Sequence, residues 1–255
     1  MKARCRDLGE MDYASCWELQ RSLFEELVAG KRDAGAESGA KTAGAGNGAA
    51  QAATDAETVG TVLLVEHPPV YTLGKSGHAE NLLVDRAALQ RLGAGFFHID
   101  RGGDITFHGP GQLVCYPILD LERIGIGLRE YIERLEEAVI RTVARYGIAA
   151  GRIAGASGVW IKEGPERGLS GGRSVPRKIC AIGVRSSRYV TMHGFALNVT
   201  TDLAWFSRIN PCGFSDRGVT SIARETGREA AMDEVKRLVL RELGHQLNIE
   251  VKMER

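Results

Sequence analysis

One group that could do chemistry in this sequence is a cysteine on a tight loop. Cys212 sits in Asn210-Pro211-Cys212-Gly213, where the flanking proline and glycine keep the thiol out of a regular element, and loops of that kind expose nucleophiles. A free thiol has a pKa of about 8.5 and needs a nearby cation or base to react quickly near neutrality. Cys115 and Cys180 lie in apolar, strand-like runs, where a thiol is usually a small buried hydrophobe, and Cys5 and Cys16 lie near the amino terminus. Position therefore favours Cys212 as nucleophile; the competing reading is a structural thiol in a turn. Lys178 opens the run Lys178 to Val184, KICAIGV, and by itself reads as a solvated strand-end lysine.

A second feature looks built to bring backbone close to a ligand. In Arg101 to Tyr116, RGGDITFHGPGQLVCY, Gly102-Gly103 and Gly109-Pro110-Gly111 can bend tightly and present bare amides. Arg101 and His108 bracket the first bend, one a permanent cation, the other able to change charge near neutrality. The competing reading is a glycine-rich hairpin with an incidental histidine. His193, between Met192 and Gly194, reads as a satisfied core histidine.

Helices and strands must hold these groups in place. Asp12 can cap a helix whose apolar residues Tyr13, Cys16, Trp17, Leu23, Phe24, Leu27 and Val28 share a face, with Gly30 a plausible stop. Residues 31–58 turn to alanine, glycine and small polar types, which predicts a disordered insertion within one domain. A strand follows at 61–66, ended by His67-Pro68-Pro69, then a short helix at 85–92 and the strand FFHID. Pro117 suggests that the strand at 112–121 bends or ends near it. The spacing of Leu128, Tyr131, Ile132, Leu135, Val139, Val143 and Tyr146 predicts a helix closed by Gly147. Strands are expected at 158–161, 178–188 and 190–199, the last two forming a hairpin at Arg188-Tyr189, and a final helix at 233–243. The segment 163–176, with four glycines and two prolines, reads as a mobile surface loop.

Composition excludes several function classes. With 33 basic and 32 acidic residues in 255, no global field favours nucleic acid or an anionic membrane. No apolar run suits a membrane span and no signal pattern opens the chain, so a cytoplasmic protein is expected. Five scattered cysteines without a C-x-x-C pair disfavour a disulfide framework or a cysteine-rich zinc site, and the six histidines show no H-x-x-x-H spacing, so no metal is expected. Neither a Walker lysine loop nor a dinucleotide-binding glycine motif is present.

Four segments together resemble the octanoyltransferases of lipoate biosynthesis in order and spacing: EHPPVYTLGK (Glu66 to Lys75), RGGDITFHGPGQLVCYPI (Arg101 to Ile118), KICAIGVRSSRYVTMHGFALNV (Lys178 to Val199) and INPCGFSDRGVTS (Ile209 to Ser221). The resemblance implies an α+β fold, a mixed β-sheet packed by helices like the catalytic fold of biotin and lipoate protein ligases, as a single domain over residues 1–255. It implies an acyltransferase that moves octanoyl from the phosphopantetheine of acyl carrier protein to a lysine amine of lipoyl domains. The implied acceptors are the 2-oxoacid dehydrogenases and the glycine cleavage H protein. Cys212 matches the nucleophile that carries the acyl group as a thioester, and Lys178 the lysine that lowers its pKa and acts as base. Substrate contacts are implied for Arg101, Gly102, Gly103, Asp104, Ile105, Thr106, Phe107 and His108, for Ala181, Ile182 and Gly183, and for Gly194, Phe195 and Ala196. His108 is expected to position substrates rather than serve as the primary base. No bound cofactor is expected, because thioester exchange is near balance and amide formation is downhill. Cys180 stands where the family commonly has a small apolar residue, two positions from Lys178, and strand alternation leaves it open as a competing nucleophile.

Overall fold

The computed structural model describes residues 1–37, 58–162, 175–210 and 218–254. In chain order its elements are β1 (Lys2–Glu10), α1 (Tyr13–Glu37), β2 (Thr58–Glu66), β3 (Val70–Leu73), α2 (Arg86–Arg91), β4 (Gly95–His98), β5 (Ile105–His108), β6 (Gln112–Leu119), α3 (Leu121–Ile124), α4 (Leu128–Ala144), β7 (Gly151–Ile153), β8 (Ala156–Ile161), β9 (Arg177–Ser187), β10 (Val190–Asn198), β11 (Gly218–Val219), α5 (Ile222–Thr226), α6 (Met232–Leu247) and β12 (Glu250–Met253). Among the described residues two 3₁₀ turns, Ala79–Asn81 and Leu203–Arg208, join them. Among the described residues no helix is long and apolar enough to cross a membrane.

Among the described residues the strands form a nine-stranded mixed sheet in the order β12-β1-β2-β6-β10-β9-β8-β7, with β11 paired to β9, and a small sheet β4-β3-β5. Strand β1 runs parallel to both β12 and β2, β11 is parallel to β9, and the remaining large-sheet pairs are antiparallel. Helices α4 and α6 bury Leu135, Val139, Val235, Val239 and Leu243 against one face, where Cys115, Cys180, Phe195 and Leu197 complete the main core. Helix α1 covers the other face with Cys16 and Phe24 against Leu63, Val65, Val114 and Ala196. The small sheet carries its own cluster of Tyr71, Phe107 and Phe206. This is the expected α+β arrangement of a mixed sheet packed by helices.

Helix α1 departs from expectation by running through Gly30 to Glu37. One mid-helix glycine costs only about 1 kcal/mol relative to alanine. The next residue, Lys31, is fixed by ion pairs of 2.7 Å to both Asp120 and Glu122. Residues 31–37 are thus helix rather than disordered insertion, Thr58 belongs to β2, and 38–57 lie outside the described residues. The loop expected at 163–176 likewise falls outside them, except for its last two residues.

Strand β6 does not bend or end at Pro117 but continues to Leu119. Proline lacks an N–H, so it needs a neighbour that asks for none. In β6 the amides of alternate residues point the same way, and the Leu119 N–H faces β10, donating to the Thr191 hydroxyl. Pro117 therefore turns its bare nitrogen toward β10, where the backbone ladder stops at the Phe195–Cys115 pair. The Thr191 hydroxyl donates to the Pro117 carbonyl at 2.8 Å, and β10 is distorted beside it, with His193 at φ 62°. The proline and the distorted partner strand are a matched pair.

Candidate active site

A cavity of about 630 Å³ opens along β9 and β10. Its sheet floor is made of small residues held opposite one another, Ala181 by Ala196 and Gly183 by Gly194. Opposite the floor lies the glycine-rich loop, pinned by the Gly102 N–H donating to the Val184 carbonyl at 3.0 Å. A Cβ at Gly183 would come within 2.7 Å of the Gly102 carbonyl oxygen, so that glycine sets how closely loop and sheet approach. Val114, Tyr116, Gln112 and Tyr13 line the side toward β6 and α1; Leu128 and Ile132, from the first turns of α4, make an apolar wall.

The buried Arg101 guanidinium holds the loop from within. It donates to the Thr72 carbonyl at 2.8 Å, to the Thr72 hydroxyl at 3.0 Å and to the Gly102 carbonyl at 3.0 Å. Asp104 accepts from the His78 N–H and from Asn81 Nδ2, tying the far end of the loop to the Ala79–Asn81 turn. Both side chains order the wall that the glycines leave bare.

A hydrogen-bond chain fixes the state of His108. Gln112 Nε2 donates to the Phe107 carbonyl (3.1 Å) and to Asn198 Oδ1 (2.8 Å), so its Oε1 must accept from His108 Nδ1–H at 2.8 Å. His108 Nε2 is then left to accept from the Thr72 hydroxyl at 3.4 Å. Burial, followed by the field of His67, pushes the His108 pKa down to about 3, so the ring is neutral near pH 7. Asn198 Nδ2 donates to the Thr220 carbonyl at 2.9 Å, and the Thr220 N–H to the Lys178 carbonyl at 2.9 Å. The network thus runs from Arg101 across the cavity wall to the strand that bears Lys178.

Lys178 lines the same cavity. Its Nζ sits over the ring of Trp160, its register partner on β8, 4.6 Å from the ring centre. Gly158, at φ 110°, allows β8 to come this close: a Cβ there would lie 2.4 Å from the Cys180 carbonyl oxygen. Cys180 itself is fully buried in the main core, and burial drives its thiol far above the ordinary range. A local irregularity in the β8–β9 register, between Val159 and Trp160, breaks the strand alternation that would set Cys180 on the face of Lys178.

Cys212 lies outside the described residues, but both ends of its segment are anchored at the cavity. Before it, the Asn210 N–H donates to the carbonyl of the cavity residue Asn81 at 2.8 Å. After it, β11 pairs with β9 so that Val219 lies opposite Lys178. Arg177, next to Lys178, makes a two-pronged ion pair with Glu225 of α5, at 2.6 and 2.7 Å.

The remaining expected contacts divide. Gly103, Ile105, Thr106, Ile182, Gly194, Phe195 and Ala196 all line the cavity. Phe107 does not: in β5 its side chain points the other way, stacked on Trp205 with centroids 5.1 Å apart and edge-on to Phe206. Alternation along a four-residue strand separates it from Thr106 and His108. Sequence reasoning missed Tyr13, Tyr116, Gln112, Asn198 and, above all, His193. His193 Nε2 donates to Asp100 at 3.0 Å, and Asp100 also pairs with Arg185. Among the described residues no cluster of His, Cys, Asp and Glu could hold a metal ion.

The sequence matches the lipoyl protein ligase A/B catalytic domain over residues 12–244. It is 50% identical over 243 residues to the octanoyltransferase of Bacteroides fragilis, covering 95% of this chain and 97% of that protein. It is 46% identical to the octanoyltransferase of Flavobacterium johnsoniae, covering 98% of each. The fold is similar to that of a bi-partite lipoate protein ligase from Thermoplasma acidophilum, with a TM-score of 0.65 at 17% identity over 100% of this chain and 87% of that one. A lipoate-protein ligase A structure bound with ATP gives a TM-score of 0.63 at 16% identity, over 100% of this chain and 89% of that one. Sequence and fold agree: the chain belongs to the octanoyltransferase family, built on the lipoyl protein ligase A/B catalytic domain.

Proposed function

We propose that this acyltransferase carries the octanoyl group as a thioester on Cys212, activated by Lys178, and passes it to a lysine amine of a lipoyl domain. The donor in this reading is octanoyl-acyl carrier protein, with the acyl group on its phosphopantetheine sulfur. The acceptors are the lipoyl domains of 2-oxoacid dehydrogenases and the glycine cleavage H protein, met in the cytoplasm. The carrying observation is that β11, which resumes the chain after Cys212, lies in register with Lys178 at the end of the cavity.

In the first half-reaction Lys178 takes the proton from the Cys212 thiol. The thiolate attacks the thioester carbonyl, the pantetheine sulfur departs, and the proton returns to that sulfur. In the second, the acceptor amine attacks the acyl-cysteine; the carbon–sulfur bond breaks, the amide forms, and the amine's proton returns to Cys212. Backbone amides are suited to hold the carbonyl oxygen as charge develops on it. One thioester is exchanged for another before the downhill amide step, so no nucleotide and no bound cofactor are required.

Mass spectrometry after mixing the protein with octanoyl-acyl carrier protein tests this directly. An octanoyl adduct on the peptide containing Cys212, released by hydroxylamine, is expected. Transfer to a lipoyl domain should proceed without ATP. A strict ATP requirement would instead favour a ligase reaction on the same fold.

A further inference from the structure

We infer that His193 is a binding residue for the amide-bearing arm of the acyl donor, offering its Nδ1 as hydrogen-bond acceptor to an arm N–H. This rests on the octanoyl-transfer reading and adds to it the site that would recognise the carrier arm.

His193 is almost completely buried, yet it lines the cavity and its Nδ1 has no hydrogen-bond partner among the described residues. Nε2–H donates to Asp100 at 3.0 Å, so the neutral ring carries its proton there and Nδ1 keeps a lone pair. A buried acceptor without a partner costs free energy and asks for a ligand. The residue also adopts φ 62°, a conformation uncommon for histidine in a strand. Gln20 of α1 holds it there, its Oε1 accepting the His193 N–H at 3.1 Å. Two elements therefore fix this ring at the cavity wall, with its Nδ1 buried and unpartnered among the described residues.

Position and charge select the ligand. His193 pairs with Val184 in register, and the stretch of β9 from Lys178 to Val184 spans about 20 Å at strand rise. The reacting thioester belongs at the Lys178 end, so a group meeting His193 must be a long extension of the substrate. Arg101 and Arg185 bear on His193 as cations, while the carboxylate of Asp100 is already engaged by His193 and Arg185. Such surroundings disfavour a lysine ammonium and favour a neutral amide N–H on an arm whose phosphate would end near the half-exposed Arg185.

His193→Gln and His193→Asn separate recognition from scaffolding. Glutamine keeps a donor at the ε position for Asp100 and loses the δ acceptor; asparagine keeps an acceptor at the δ position and loses the Asp100 contact. Acyl-enzyme formation is measured by stopped reaction and mass spectrometry with octanoyl-pantetheine and with a short octanoyl thioester lacking amides. The ratio of kcat/KM, arm-bearing donor over short donor, should fall about tenfold in His193→Gln, mostly through KM. It should stay near the wild-type value in His193→Asn. A fall in Asn with retention in Gln, an equal loss with both donors, or a defect confined to transfer onto the lipoyl domain would each overturn the assignment. Wild-type protein inert with both donors would overturn the octanoyl-transfer reading itself, and this inference with it.

Discussion

Val219 lies opposite Lys178 in the parallel pairing of β11 with β9, and the next residue, Thr220, donates its N–H to the Lys178 carbonyl at 2.9 Å. The chain that returns from Cys212 is thereby fastened to the strand that carries the candidate base. Chemistry that needs both residues can use this join even though they lie far apart in sequence.

Replacing Cys212 by serine should abolish the hydroxylamine-labile octanoyl adduct, read by intact-mass spectrometry. Cys180→Ala, a change in the buried core rather than the cavity, should retain the adduct and lower stability by about 1 kcal/mol. Persistence of an equally labile adduct in Cys212→Ser would move the nucleophile elsewhere.

Lys178→Ala should slow acylation at pH 7 by about a hundredfold or more, the usual scale for a lost general base. Raising the pH toward that of thiol ionisation should recover part of the rate, because the thiolate then forms unaided. A rate unchanged at pH 7 would refute Lys178 as activator.

Gly158→Ala tests the spacing of β8 and β9. The new Cβ would meet the Cys180 carbonyl at 2.4 Å, and alanine is strained at φ 110°. A loss of about 2–3 kcal/mol is expected in urea melts, together with slower acylation as the Trp160–Lys178 contact loosens. Wild-type stability in this variant would show that the two strands separate at little cost.

Acid should destabilise the protein from about pH 6.5 downward. His108 has a pKa pushed to about 3 by burial, and burial also lowers those of His67 and His193. Between about 3 and 6.5 the unfolded chain binds protons at these positions that the folded chain refuses, so stability is full above 6.5 and falls as pH drops toward 3. Denaturant midpoints measured from pH 7 to pH 4 should decline, and more shallowly in His108→Asn. An identical slope in that variant would remove His108 from the acid response.

Much of the architecture was legible because local chemistry and tertiary structure agree. The hairpin at Arg188-Tyr189 forms where expected, with both residues at positive φ (51° and 64°), and the apolar spacing of α4 matches its buried face. Strands β1 and β12 were not foreseen. Sequence KARCRDLGE buries only Ala3 and Cys5, and its parallel partners are remote in the chain. The glycine-rich wall and Lys178 could be singled out by residue type, since their backbone demands are written in glycine and their charge in one side chain. His193 could not be. Its unpartnered nitrogen depends on Asp100, Gln20 and the distortion of β10 opposite Pro117, none of which has a local signature.

The parallel β1–β12 pairing has a consequence for how the molecule is made. Its register joins Lys2 to Glu250 and Cys5 to Met253, so β1 is made well before the strand that completes its hydrogen bonds on that side. Contacts of such separation are slow to form and leave an edge open in the meantime. Until β12 is made, β1 keeps that edge unpaired even when β2 is in place.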